Sequence, residues 1–450
     1  MKLLQLTTVA AVAGMLITGC QTAPKDRAAE EKAAGFVSLF NGTDLTGWTL
    51  LGKKGDGYGV TNGVIFCSQG GGGNLLSEKQ YANFVLRFEF RLHPKSNNGI
   101  AIRAPFAAGS IAYDGMEIQV LDLAYDKPLR PEQYHGSIYD VFPAKTGYLK
   151  PAGFWNEQEI IADGRRIIVK LNGLTIVDAD LNTVTDPAKI AKHPGLFRER
   201  GHVGFLGHND YCEFKNIRIK ELPDTRRIGD VLANDNVAPS GFSALFDGRT
   251  LNGWKGQLAR PNDNPINRAK LSPEKLAAEQ AKANTLMAET WKLEDRAVVY
   301  RGTGYNNLVT TREFGNFEFF CDWKIEEQGD SGVYLRGVPQ VQIWDTLATN
   351  RNAVGSGGLF NNKKARSTPL HRADRLTGEW NRFQILMYGD RCHIFLNDEL
   401  VVKDTPLENY WQTNAPLPAT GPIELQAHNS PVWFKNLYVR ELPAAPAKAK

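Results

Sequence analysis

Alternation of apolar and polar residues dominates this chain. FVLRFEFRL (84–92), MEIQVLD (116–122), RIIVKLNGLTIVD (166–178) and EFKNIRIKEL (213–222) each switch character at every second position. A period of two places successive side chains on opposite faces of a strand. FEFFCDWKI (317–325), VQIWD (341–345), CHIFLNDELVV (392–402) and WFKNLYVREL (433–442) repeat the pattern later on. Asn172-Gly173 and Asn397-Asp398 interrupt two of these runs, and such pairs accept the positive φ of a hairpin turn. Many short antiparallel strands between Gly-rich turns predict an all-β chain of jelly-roll β-sandwich type.

The pattern occurs twice. FVSLFNGTDLTGW (36–48) returns as FSALFDGRTLNGW (242–254), an offset of 206. Arg103 matches Arg336 at offset 233, Gln119 and Asp122 match Gln342 and Asp345 at 223, and His208 matches His428 at 220. The matches are collinear, so the chain holds one domain in duplicate. The rise in offset locates an insertion in copy two, LSPEKLAAEQAKANTLMAETW (271–291). Ser272 as N-cap, Pro273 in the first turn and the Ala, Glu, Lys and Leu that follow predict a helix there. The later fall locates a longer loop in copy one, APFAAGSIAYDG (104–115). The expected divisions are 36–222 and 242–443 for the copies, 223–241 for a linker and 444–450 for a tail.

Composition narrows the function. With 53 Lys+Arg against 49 Asp+Glu over 450 residues, the net charge of +4 leaves no nucleic-acid footprint. Five cysteines are too few for a disulfide scaffold, and no Cys/His spacing suggests zinc. Lys2, the apolar run 3–17 and Ile17-Thr-Gly-Cys20 resemble a bacterial lipoprotein signal, which makes Cys20 the expected lipidation site. Residues 1–20 then form the signal and 21–35 a solvated tether. Gln21 is not an Asp retention signal. The expected location is the cell envelope, lipid-anchored at the outer membrane and facing periplasm or surface, with no other membrane contact.

Period two also sorts the polar residues. Glu117 and Gln119 point away from the core face of their strand, as do Gly99, Ala101 and Arg103 on theirs, and His202, Gly204, Leu206 and His208 on another. Copy two repeats this with Gln340 and Gln342, with Tyr334 and Arg336, and with Glu424, Gln426 and His428. Small residues alternating with Arg, Glu, Gln and His describe a groove whose planar polar groups suit sugar hydroxyls.

At these residues the sequence resembles the 3-keto-disaccharide hydrolase domain family, a concanavalin A-like jelly roll. The motifs are Leu39-Phe-Asn-Gly42 with Gly47-Trp48, Asn98-Gly-Ile100 through Arg103, Gly115-Met-Glu117-Ile-Gln119-Val-Leu-Asp122, His135-Gly-Ser-Ile-Tyr139 and Gly201 through His208. Copy two carries Asp330-Ser-Gly332 through Arg336, Gln340-Val-Gln342-Ile-Trp-Asp345 and Gly421 through His428. The resemblance implies two tandem concanavalin A-like sandwiches, one with an inserted helix, that cleave glycosides oxidised at C3. A C3 ketone acidifies the C2 hydrogen, so a base can remove it and the C1 oxygen can leave. Such a route needs a general base, donors for the developing oxyanion and an acid for the leaving group. The expected proton carriers are Glu117, His135 and His208, with Tyr139 protonating the leaving group. Arg103, Gln119 and Asp122 are the expected substrate contacts of copy one. Arg336, Gln342, Asp345, Glu424, Gln426 and His428 are those of copy two. No cofactor is specified; a divalent metal is compatible with the chemistry and the sequence assigns it no ligands.

Copy two has Gln340 where copy one has Glu117, and no histidine at the place of His135. Copy one is therefore expected to be catalytic and copy two to bind sugar. The competing reading is a non-catalytic carbohydrate-binding lipoprotein, since fold alone does not set function. A retaining glycosidase is disfavoured, because its E-x-D-x-x-E strand motif is absent.

Overall fold

The computed structural model describes residues 27–223, 235–346 and 354–443. Cys20, the signal segment and the 444–450 tail lie outside the described residues. Each copy folds into two antiparallel sheets packed face to face, one of eight strands and one of five. The strands of copy one run from Val37 to Glu221 and those of copy two from Ser243 to Leu442. The architecture is the expected tandem pair of jelly-roll sandwiches.

The five-stranded sheets position the candidate site. In copy one the strands are β1 (Trp48–Lys54), β2 (Gly72–Tyr81), β3 (Asn97–Ala104), β4 (Met116–Leu121) and β5 (Gly201–His208), paired in the order β1-β2-β5-β3-β4. In copy two they are β6 (Trp254–Gly256), β7 (Leu308–Thr310), β8 (Asp330–Tyr334), β9 (Gln340–Trp344) and β10 (Glu424–Leu425), in the order β6-β7-β10-β8-β9. The orders are equivalent, so each position on one sheet has a counterpart on the other. Apolar alternation sends Ile100, Ile118, Val203 and Phe205 inward against Phe88 and Phe214 of the large sheet. Val333, Val341, Ile343 and Leu425 do the same in copy two against Trp323, Phe383 and Phe434. Cys67, Cys212, Cys321 and Cys392 are buried free thiols within these cores.

The insertion forms the expected helix, Pro273–Thr290, and the Ser272 side chain accepts from the Lys275 amide. It packs on β6, where Gly256 admits the helix backbone: a Cβ there would lie 2.1 Å from the Ala283 carbonyl oxygen. Part of the expected tether is also structured. Arg27–Ala33 is a short helix whose Glu31 pairs with Arg87 and Arg218 on the outer face of copy one. At the far end of the expected linker, Asp235 is buried and bonds Lys435 at 2.8 Å, while Asn236 exchanges backbone–side-chain bonds with Asn436.

The copies are docked rather than strung. In copy one, strand Phe84–Leu92 alternates buried and half-buried residues, as a solvated sheet face should. In copy two, strand Asn381–Tyr388 is buried throughout. The outer face of its large sheet rests on copy one: Gln384 donates to the Phe197 carbonyl, His393 Nε2 lies 3.0 Å from the Ile190 carbonyl, and Arg440 donates to that of Asn182. Fully buried Glu318 bridges the junction, bonded to Arg165 of copy one at 2.5 Å and to Arg440 of copy two at 2.6 Å. Burial alone would raise its pKa. The two guanidiniums, with a bond from Gln384, outweigh that and hold it lowered.

Candidate active site

The equivalence of the small sheets lets their open faces be compared row by row. One cross-strand row of copy one reads Leu76, Gly204, Ala101, Glu117. Its counterpart in copy two reads Val309, Glu424, Tyr334, Gln340. The carboxylate has moved from the outer strand β4 to the middle strand β10, two strands away. Strands lie about 4.8 Å apart, so the displacement across the sheet is about 10 Å.

On copy two this face is the floor of a cavity of about 440 Å³. That volume falls in the range of roughly 300–1,000 Å³ typical of small-molecule sites. The inserted helix forms one wall with Ala283 and Leu286, and Tyr305, Tyr410 and Trp411 line others. Glu424 is buried, its Oε2 accepting from Gln257 Nε2 at 3.0 Å and Asn307 Nδ2 at 3.2 Å. Its Oε1 lies beside Gly337, where a Cβ would approach to 3.1 Å. Burial is the main cause of its raised pKa; the Asn307 bond opposes it.

A ladder of side chains leads away from the floor across the sheet. Gln342 donates to Asp330, Gln340 donates to both Gln342 and Gln426, and Gln426 donates to the Tyr334 hydroxyl at 3.2 Å. The Tyr334 oxygen is thus an acceptor within the ladder, and its own proton is left for a ligand. Burial raises its pKa, so the phenol stays protonated at neutral pH. His428 stands at the rim, 3.8 Å from Asp330.

On copy one the same face is largely apolar and covered. Leu76, Ala101, Ala104 and Leu206 form a small cluster with Ile111 of the longer loop. Asn74 ties that loop down by donating to the Ala107 and Gly109 carbonyls. Beyond the cluster Glu117 is buried, its Oε1 3.7 Å from His208 Nε2. Gln119 accepts from the Val120 amide. Tyr139 accepts a bond from Gln133 Nε2.

Several expected site residues have other work. Arg103 and Arg336 take positive φ, +48° and +51°, and this breaks the alternation that would have aimed them at the groove. Arg103 instead donates to the Ala82, Gly164 and Arg198 carbonyls and to Asn83 Oδ1. Arg336 repeats the set on Gly315, Gly389, Pro418 and Asn316. Both are pins between loops, not substrate contacts. Asp122 accepts from the Lys95 and Ala124 amides, and Asp345 from the Gln328 amide and the Thr377 hydroxyl. These two are turn acceptors.

His135 is likewise no proton carrier. It is buried, stacks on Phe90 at 5.1 Å and accepts from the Leu121 amide through Nδ1. Burial pushes its pKa down to about 3, so the ring stays neutral. In copy two Ser356 holds the equivalent place, its Oγ accepting from the Trp344 amide. The hydroxyl there fills the same acceptor position as the imidazole nitrogen.

Among the described residues no three His, Cys, Asp or Glu side chains converge as metal ligands. The donors around Glu424 are neutral amides, which do not make a divalent-cation cage. The groups that sequence reading missed are Asn307, Gln257 and the aromatic walls. The Tyr410-Trp411 doublet was a visible signal, but nothing local ties it to a sheet floor remote in sequence.

The 3-keto-alpha-glucoside-1,2-lyase-like domain model matches residues 35–220 and again 241–440. A 3-keto-disaccharide hydrolase from Bacteroides thetaiotaomicron is 27% identical over 230 residues, 42% of this chain and 79% of that protein. A crystal structure assigned as a glycosyl hydrolase from Parabacteroides distasonis is 24% identical, covering 43% of this chain and 97% of its own, with a TM-score of 0.37. The carbohydrate-binding module CBM66 from Bacillus subtilis is 13% identical, with coverages of 34% and 91% and a TM-score of 0.25. With both copies matched over nearly their whole length, this chain belongs to the 3-keto-alpha-glucoside-1,2-lyase-like domain family and carries its domain twice.

Proposed function

We propose that the chain cleaves 3-keto-glycosides of disaccharide size in the cavity of copy two, with Glu424 as the proton carrier. The observation that carries this reading is a buried carboxyl with a raised pKa on the floor of an aromatic-walled cavity. A base works best when its pKa approaches the working pH, and burial moves Glu424 that way. The Gln257 and Asn307 amides orient one oxygen and leave the other for substrate. Glu424 takes the C2 proton, the C2–H electron pair forms the C1=C2 bond, and the C1–O pair departs with the leaving oxygen. The Tyr334 phenol supplies a proton at the ketone oxygen or the leaving group. Water added across the new bond completes net hydrolysis. Tyr305, Tyr410 and Trp411 offer ring faces to sugar C–H patches.

The test is turnover of a chemically prepared 3-keto-disaccharide by the full chain. Glu424→Gln keeps shape and loses the base; a drop of about 10²–10⁴-fold in kcat is expected. An unchanged rate overturns the assignment. Saturable binding of the disaccharide with no turnover by the wild type supports instead a carbohydrate-binding lipoprotein, for which the amide ladder and aromatic walls would suffice. We also infer lipid anchoring in the cell envelope through Cys20. Cys20→Ala is expected to move the protein from the membrane to the soluble fraction.

A further inference from the structure

The large sheet of copy one carries a cysteine pair that the sugar chemistry leaves unused. Strands Tyr58–Thr61 and Val64–Cys67 form a hairpin at one edge of this sheet, and the second of them pairs with the inner strand Cys212–Glu221. In that pairing Cys67 stands directly opposite Cys212. Opposite residues of an antiparallel pair have Cα atoms about 4.5–5.5 Å apart, inside the roughly 4.4–6.8 Å span of a disulfide. They also share a face of the sheet, and both thiols are fully buried on its core side.

Copy two shows what the same place holds otherwise. The row across the edge of copy one reads Tyr58, Cys67, Cys212, Leu92. Its counterpart reads Trp291, Tyr300, Val432, Ile325. There the edge is held by volume: Trp291 and Tyr300 are buried with their rings 5.1 Å apart, and Trp291 Nε1 donates to the Asn306 carbonyl at 2.8 Å. Copy one has two small thiols in the inner places. Its hairpin also runs at both ends into glycine-rich chain, 52–59 and 70–73, which offers few side chains to anchor it. The remaining thiols are arranged differently. Cys321 opposes Phe383, and Cys392 opposes Met387 and Thr405, on strands separated by a third. Two strand spacings are about 10 Å, beyond the reach of a disulfide.

We propose that Cys67 and Cys212 are a disulfide site, whose bond staples the edge hairpin of copy one to the strand Cys212–Glu221. Both are free thiols in this structure, and the bond forms by exchange with a disulfide donor, a small-molecule disulfide or a thiol–disulfide oxidoreductase. One cysteine thiolate attacks the donor and releases its first thiol. The second attacks the mixed disulfide and releases the other. Two electrons pass from the cysteine sulfurs to the donor, and the two thiol protons end on the released donor thiols. Burial pushes the Cys67 thiol up to about 11 and raises that of Cys212 further, so the closed pair is a poor nucleophile. Exchange therefore belongs to folding, before the hairpin closes over the core. The cell envelope inferred above is a compartment in which such donors act. The bond closes a loop of more than a hundred residues, the kind that restricts an unfolded chain most. It holds whichever substrate the chain takes.

The test refolds the full chain in a glutathione redox buffer, alkylates free thiols in denaturant and maps the peptides by mass spectrometry. A peptide pair joined through Cys67 and Cys212 is expected, with Cys321 and Cys392 alkylated. Alkylated Cys67 and Cys212 after refolding with oxidised glutathione overturn the proposal, as does a bond from either to another cysteine. Stability gives a second readout. Reductant should lower the urea midpoint of the oxidised wild type by about 1 M. Cys212→Val installs the copy-two residue and is expected to fold, with a midpoint indifferent to reductant. Equal wild-type midpoints with and without reductant overturn the staple, and so does a Cys212→Val midpoint that still responds. Tryptic cleavage after Lys53 and Lys54, just before the hairpin, reads the edge locally. It should quicken several-fold when the wild type is reduced and stay constant in Cys212→Val; equal rates in oxidised and reduced wild type overturn the staple.

Discussion

The two open faces share a backbone and differ in almost every side chain that could touch a ligand. Copy one sets Gly204, Ala101 and Leu206 on its inner strands and covers them with its own loop. Copy two sets Glu424, Tyr334 and Gln426 at the same places and leaves a cavity beside an added helix. What the copies hold in common is structural. The arginine pins Arg103 and Arg336, the turn acceptors Asp122 and Asp345, and the amide acceptors His135 and Ser356 serve the backbone in both. At these residues agreement between copies marks the scaffold, while the two carboxylates that differ, Glu117 and Glu424, mark where the open faces diverge.

The strongest test of this contrast is the exchange of carboxylates. Glu424→Gln should cost about 10²–10⁴-fold in disaccharide turnover, followed as kcat. The same change should help the fold. A raised folded-state pKa means that the carboxyl's contribution to stability is intact below its unfolded value of about 4.3 and is lost as pH rises through the folded value. Glu424→Gln should therefore melt higher than wild type at pH 8 and equal to it near pH 4.

The junction is the next place to break the symmetry. Glu318→Ala leaves Arg165 and Arg440 buried without their shared partner and should cost about 3–5 kcal/mol in denaturant unfolding. Here the folded pKa is lowered. Its stabilisation is present above about pH 4.3 and lost as pH falls through the folded value, so the wild-type junction should loosen in acid while Glu318→Ala shows no such step.

The shared pins should behave alike. Arg103→Met and Arg336→Met each orphan several carbonyls and should cost about 2–4 kcal/mol, measured by the same unfolding. A disaccharide KM that rises with stability intact would return Arg336 to the substrate. The smallest effect on activity is expected of His135→Ser, which installs the copy-two solution. Turnover and its pH profile should stay within twofold of wild type, with a stability loss of about 1–3 kcal/mol from the lost stack on Phe90. A shifted pH profile would restore His135 as a proton carrier.

Much of this was legible in the chain. Alternation in 84–92 and 317–325, the hairpin pairs at 172 and 397, and the capped insertion at 272 follow local rules that tertiary context did not override. Parity along β4 and β10 also placed Glu117, Glu424 and Gln426 on the open faces. Parity failed at Arg103 and Arg336, where one residue of positive φ turns the strand end and redirects the side chain. It was silent on His135, because a loop residue has no face until the sheet above it is built.

The duplication, the sandwich class and the residues available to each face were set by local periodicity and internal repetition, which a linear sequence carries in full. Two things were decided only in three dimensions. One is which face stays open: the longer loop closes over apolar positions in copy one, and the inserted helix walls a cavity in copy two. The other is which ionisable groups are poised. Burial and partners set a pKa, and for Glu424 and Glu318 the amides of Gln257 and Asn307 and the guanidiniums of Arg165 and Arg440 come from segments more than a hundred residues away, whose approach no local pattern encodes.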